Sequence, residues 1–278
     1  MSINKPLENN VVTDMRDLYD RYFESADYQR RYPQPNKSTL AFVMRHGGAS
    51  EHSILDMGCG NGRYTLALLH LTPAQITACD ISSMALRELE THLAPLAAAT
   101  QNRVSILHGS VDKLPAMPQH GLLLLLFGVL SHAGTKAERI AMLQSLRANA
   151  TSDARLILSV PSLWRRRPWE LLKSLFTRQG AYGKQWQLGD IHFSRQIDGQ
   201  WLQFFYHVYT LSQLRAELLQ AGWELFVAEP ESALPEWLIT QHPLIEKIDR
   251  GLRFFLPAAL GYGIRVVARP LTLQGNVS

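Results

Sequence analysis

From residue 53 onward the chain alternates short apolar runs with stretches whose apolar residues recur at helical spacing. The runs lie at 53–57, 75–80, 103–108, 122–126, 154–160, 223–228 and 262–269. Helical periodicity fills 64–71, 82–96, 137–146 and 210–222. Runs this apolar fit strands buried on both faces, and their alternation with helices predicts a largely parallel sheet covered on each side. Ahead of this pattern, 13–29 is polar with Leu18, Tyr19, Tyr22 and Phe23 at helical spacing. Pro33 and Pro35 then break the chain, and Ser38 is a candidate cap for a helix through Leu40, Phe42 and Val43.

The alternation lapses twice. Residues 161–206 carry Trp164, Trp169, Trp186, Trp201 and the run Arg165-Arg166-Arg167. A long unpatterned stretch in a compact domain is more often a functional cap than a connector. Residues 231–260 hold Leu234, Trp237, Leu244, Ile248, Leu252, Phe254 and Phe255 at helical intervals. Both stretches are predicted as helical insertions. The expected organisation is an N-terminal helical segment, 1–50, and a domain over 51–278 with a cap at 161–206 and an insertion at 231–260.

Composition narrows the class. Of 278 residues, 46% are hydrophobic and 19% charged, which excludes wholesale disorder. Twenty-eight basic against 24 acidic residues leave a net charge of +4, spread along the chain. That distribution favours a solvated surface over a nucleic-acid footprint. Two cysteines, Cys59 and Cys79, give neither a disulfide framework nor a zinc pattern, so no metal is predicted. The N-terminus lacks an apolar signal region, and the longest apolar run falls far short of the roughly 20 residues that span a bilayer. The cytoplasm is the expected address. The sequence sets no oligomeric state.

Chemistry concentrates at 54–64, where a strand ends in Gly58-x-Gly60-x-Gly62 and a helix begins. The carboxyl end of a first strand is where open α/β sheets bind ligands. Dinucleotide sites space their glycines as G-x-G-x-x-G, to seat a diphosphate on the helix N-terminus. Here the spacing differs and Asp56 precedes the loop, where a carboxylate repels a diphosphate and attracts an ammonium group. A nicotinamide dehydrogenase is therefore disfavoured. Asp80, at the end of the second strand, is placed for ribose hydroxyls. An adenosine bearing an amino acid satisfies both carboxylates.

The unbroken stretch Leu55-Asp56-Met57-Gly58-Cys59-Gly60-Asn61-Gly62 resembles motif I of class I S-adenosylmethionine-dependent methyltransferases. Asp80-Ile81-Ser82 is similar to motif II, Gly109 to Pro115 to the third motif, and Phe127 to His132 to the segment after strand four. Two positions depart from the pattern. Ser110 stands where the third motif is acidic, and His120-Gly121 replaces the usual F-D before strand four.

The resemblance implies a doubly wound, seven-stranded, mostly parallel sheet with an antiparallel last strand. It implies S-adenosyl-L-methionine as cofactor. Asp56, Gly58, Cys59, Gly60 and Gly62 are expected at its methionine part and Asp80 at the ribose. Ile81 and Val111 are expected around the adenine, with Ser110 or Asp112 at its edge. A backbone carbonyl of Phe127 is expected near the ammonium, with Tyr28 or Tyr32 closing over the cofactor.

Methyl transfer mainly requires alignment of a nucleophile, and a hydroxyl acceptor adds the need for a base. Histidine is the usual base near neutral pH, and His132 and His207 are the candidates. His192 is weaker, and any lone histidine is more often structural. Trp164 and Tyr206 are the expected acceptor contacts. The aromatic cap favours a small or lipid-like acceptor. Two alternatives remain. The segment 206–209 is similar to one in wobble-uridine tRNA methyltransferases, and a catalytically silent binding module is compatible with the same fold.

Overall fold

The structure is a computed structural model that describes residues 15–48, 53–110 and 119–271. Three N-terminal helices come first: α1 Met15–Glu24, α2 Asp27–Arg31 and α3 Lys37–Val43. The alternating body follows: β1 Ser53–Met57, α4 Arg63–Leu71, β2 Gln75–Asp80, α5 Ser83–Leu93, α6 Ala98–Gln101, β3 Val104–His108, β4 His120–Leu125, α7 Lys136–Ala148 and β5 Ala150–Pro161. The first insertion contains α8 Pro168–Thr177, β6 Asp190–Ile197 and β7 Gln200–His207. Then come α9 Leu211–Gln220, β8 Trp223–Ser232, α10 Glu236–Gln241, α11 Pro243–Phe255 and β9 Gly263–Pro270.

Seven strands form one sheet in the order β3-β2-β1-β4-β5-β9-β8. The pairs among β1 to β5 are parallel, whereas β9 runs antiparallel to both neighbours. Leu122, Leu123, Leu124 and Leu125 of β4 are all buried, as a central strand covered on both faces requires. One apolar cluster joins β5 to Leu143, Leu214 and Trp223 on one face. Another joins β1 and β4 to Phe42, Leu68 and Leu89 on the other. A third joins α1 and α2 to the β6–β7 pair, through Leu18, Tyr22, Tyr28, Phe193, Phe204 and Tyr206.

The expected sheet and its antiparallel last strand are present, with local differences. Helix α3 is capped by Asn36 rather than Ser38, its side chain accepting from the Ser38 and Thr39 N–H groups at 3.0 and 3.4 Å. The first insertion is helical only in part. Its second half is an antiparallel hairpin, β6–β7, turned at Asp198 and Gly199 with φ of 46° and 79°. Two successive positive φ values are the geometry that makes Asp-Gly a hairpin turn. No helix among the described residues is long and apolar enough to cross a membrane.

A buried ion pair between two helices of the body also reaches the insertion through Gln187. Arg139 of α7 meets Glu217 of α9 at 2.7 and 3.1 Å. It also donates to the Gly134 carbonyl at 2.7 Å and the Gln187 side chain at 3.0 Å, and Tyr209 donates to Glu217 at 2.9 Å. Removing one partner strands the other charge in the interior. Arg139→Met is therefore expected to cost about 3–5 kcal/mol, read as a lower midpoint in chemical denaturation.

Candidate active site

The ends of β1 and β2 are joined by backbone and carboxylate. Gly58 and Cys59 both donate their N–H groups to the Cys79 carbonyl, at 2.7 and 3.1 Å. Asp80 accepts from Gly60 N–H at 2.7 Å with one oxygen and from Ser82 N–H at 2.8 Å with the other. The loop is left-handed at Gly58, Gly60 and Gly62, with φ of 72°, 56° and 82°. At Gly60 a Cβ would stand 3.1 Å from the Phe23 ring and 3.6 Å from the Tyr28 hydroxyl, so glycine lets the N-terminal aromatics close on the loop.

Two carboxylates are buried here. Asp56 accepts from the Thr65 hydroxyl at 2.6 Å, yet burial, with nearby Asp80 adding, pushes its pKa up to about 6. Burial also raises Asp80, against the N–H groups that hold it charged. Arg63, the first residue of α4, lies near them with its guanidinium 4.6 Å from the Phe127 ring centre. Its charge is already matched by Glu236, at 3.1 Å. The site thus lacks a cation.

These groups form one end of a cavity of about 250 Å³. The other end is walled by Tyr19 and Tyr22 of α1 and by Phe193, Phe204 and Tyr206 of the hairpin. His132 sits between the ends. Its Nδ1 faces the Phe205 carbonyl at 3.0 Å, so Nδ1 is the donor. Its Nε2 therefore accepts from the Tyr19 hydroxyl, at 2.7 Å. Burial pushes the His132 pKa down to about 3, and the charges of Arg166 and Arg195 act the same way. The imidazole is thus neutral near pH 7. Arg195 donates to the Tyr22 hydroxyl. Arg166 lies 4.6 Å from the Tyr262 ring centre, and its buried Nε has no hydrogen-bond partner.

Asp56, Gly58, Cys59, Gly60, Asp80, Ile81, Ser110, Phe127, Tyr28, Tyr32, His132 and Tyr206 all line this cavity. Gly62 lies behind it, as the N-cap of α4. Val111 and Asp112 fall outside the described residues. Two expectations are corrected by position. His207 is buried outside the cavity, bonded to Asp190 at 2.7 Å, because adjacent residues of a strand face opposite ways and Tyr206 takes the inner face. Trp164 is 62% exposed and lines no part of it.

The sequence reading did not place Tyr19, Tyr22, Phe23, Arg63, Arg166, Arg195, Phe193 or Phe204 in the site. One signal was available for the hairpin residues, since Phe193 and Arg195, like Phe204 and Tyr206, are spaced by two and share a strand face. His192 bonds to the Gly180 carbonyl instead. Among the described residues no cluster of three metal-ligating side chains occurs.

Residues 54–151 match a family model for a methyltransferase domain. No curated protein matches the sequence. Solved structures do resemble the fold. The CcbJ methyltransferase from Streptomyces caelestis is 15% identical, with 86% of this chain and 91% of that one covered and a TM-score of 0.59. The glycopeptide N-methyltransferase MtfA, complexed with S-adenosyl-L-homocysteine, is 17% identical over 86% and 91% of the two chains, with a TM-score of 0.57. The mitomycin 7-O-methyltransferase MmcR is 14% identical over 84% of this chain and 53% of that one, with a TM-score of 0.52. At such identities the likeness is one of fold. Together with the matched methyltransferase domain and its motif residues, it supports a class I S-adenosylmethionine-dependent methyltransferase.

Proposed function

We propose that this enzyme methylates a hydroxyl of a small or amphiphilic acceptor held between α1 and the β6–β7 hairpin. One observation carries the reading. A single cavity joins the cation-deficient Asp56–Asp80 end to a Tyr19–His132 pair under aromatic walls.

The residues at the first end fit S-adenosyl-L-methionine. When bound, it supplies a methyl group on a cationic sulfonium. In this reading Asp56 meets the ammonium and Asp80 the ribose hydroxyls, while Ile81 and Ser110 flank the adenine. Gly58, Cys59 and Gly60 would bring backbone close to the methionine part, and the Phe127 carbonyl would be available to the ammonium. Tyr28 and Tyr32 close over it from α2.

At the second end, Tyr19 and His132 align the acceptor. An acceptor hydroxyl that takes up a methyl group must also lose its proton. Tyr19, whose hydroxyl hydrogen is held on Nε2 of His132, accepts the acceptor's hydrogen bond and so aligns it, and the proton leaves to solvent. Arg166 and Arg195 favour negative charge on the acceptor oxygen. Tyr206 and Phe204 supply apolar walls, as small-molecule sites require. A tRNA acceptor gains no support from the run 165–167, whose arginines make no phosphate-facing stripe. Arg165 donates to the Ala233 carbonyl, Arg166 lines the cavity, and Arg167 pairs with Glu170 at 2.5 Å.

The reading is tested by release of S-adenosylhomocysteine with phenols, hydroxylated aromatic acids and long-chain alkyl phenols, against bulk tRNA. Turnover on tRNA and on none of the small acceptors overturns it. On the best acceptor, Tyr19→Phe and His132→Ala are each expected to lower kcat about 10²-fold and to leave cofactor affinity unchanged by calorimetry.

Asp80→Ala is expected to abolish calorimetric cofactor binding while circular dichroism stays that of a folded chain. Affinity also depends on pH. The ammonium is held by the Asp56 carboxylate, whose pKa is about 6. Cofactor affinity should be level above that pH and fall about tenfold per unit below it, as the carboxyl takes up a proton. Titration calorimetry between pH 4.5 and 8 checks the sign.

A further inference from the structure

Helices α8 and α11 are both turned inside out. In α11 Asp249 and Arg253 face the protein. Asp249 is buried, accepts from the Ala233 and Leu234 N–H groups at 2.7 and 2.9 Å, and meets Arg253 at 3.1 Å. Glu246 on that side pairs with Lys37 and Arg250. The opposite face carries Leu244, Ile248, Leu252 and Phe255 at one stripe's spacing, with Leu244 74% and Phe255 83% exposed. Phe254 beside them is 85% exposed. In α8 the buried residue is Ser174, whereas Trp169 is 78% and Phe176 81% exposed, with Leu172 and Leu175 also outward. One loop links the two helices, since Arg165, just before α8, donates to the carbonyl of the same Ala233 that α11 holds.

We propose that these two helices form a docking face for an anionic lipid surface. Charge decides among the occupants. The acids of both helices are already paired: Glu170 with Arg167, Glu246 with Lys37 and Arg250, and Asp249 with Arg253. Lys173, Arg178 and Lys247 are exposed and, among the described residues, meet no carboxylate. The face therefore presents aromatic and aliphatic side chains edged by uncompensated cations. That is the composition of helices that lie in the interface of anionic membranes. A two-fold dimer would instead bring the uncompensated cations of both copies into one interface, where the acids of these helices are already paired. A lipid surface also suits the amphiphilic acceptor of the proposed function, and that clause alone rests on the proposed reading.

The test is cosedimentation of the full chain with vesicles of phosphatidylcholine, alone or with 30% phosphatidylglycerol. The chain is expected to bind the anionic vesicles, and more weakly at high salt. Phe254→Ser with Phe255→Ser should lower the partition coefficient at least tenfold. Lys173→Gln with Lys247→Gln should lower it several-fold on anionic vesicles only. Calorimetric affinity for S-adenosylmethionine should stay unchanged in both variants, which separates this result from any failure of the site assignment. No binding by the parent chain overturns the proposal. So does concentration-dependent dimerisation, by light scattering, that the phenylalanine variant abolishes.

Discussion

The site depends on one carboxylate. Asp80 ends β2, and its two oxygens hold the Gly60 and Ser82 N–H groups, so one side chain fixes the loops after both β1 and β2. Ser82 in turn donates to Asp20 of α1 at 2.7 Å. The chain of contacts runs from the sheet through the glycine loop to the N-terminal helix that walls the cavity. This explains why glycines at positive φ are tolerated in an otherwise rigid region. Their strain-free left-handed geometry presents N–H groups inward, and Asp80 anchors one of them. Electrostatics follows from the same placement. With Arg63 matched by Glu236, the buried Asp56 and Asp80 remain short of positive charge.

The two ends of the cavity differ in how charge is handled. Near the sheet, carboxylates await a cation. Near the hairpin, Arg166 and Arg195 rest on aromatic faces, with no carboxylate partner among the described residues. Between them stands neutral His132, whose tautomer is set by the Phe205 carbonyl. Positive charge at the acceptor end opposes protonation of the histidine and favours an acceptor that arrives with, or develops, negative charge. The polarity of the cavity thus runs from buried carboxylates at the sheet to arginines at the hairpin.

The sheet was legible because a buried parallel strand is an apolar run, and Leu122 to Leu126 cannot be placed elsewhere. The glycine loop was legible because its spacing and Asp56 carry the chemistry in adjacent residues. The acceptor end was not, because it is assembled from α1 and the hairpin, which are far apart in sequence. Tyr19 and Tyr22 read as an ordinary helical stripe, and nothing local says that the stripe faces a cavity. The hairpin did carry a signal, Asp198-Gly199 between runs of alternating polarity, but the tryptophans and arginines nearby drew attention to a helical cap. His207 was misplaced by one residue's alternation, since its neighbour Tyr206 holds the inner face.

The hairpin pairs only with itself. β6 and β7 form a separate two-stranded sheet, joined to the large sheet by no strand pairing. Its turn, sequence and length can therefore drift without disturbing any register on which Asp56 and Asp80 depend. The carboxylate end of the cavity is built into the large sheet, whereas the aromatic end rests on a module that shares no strand pairing with it among the described residues.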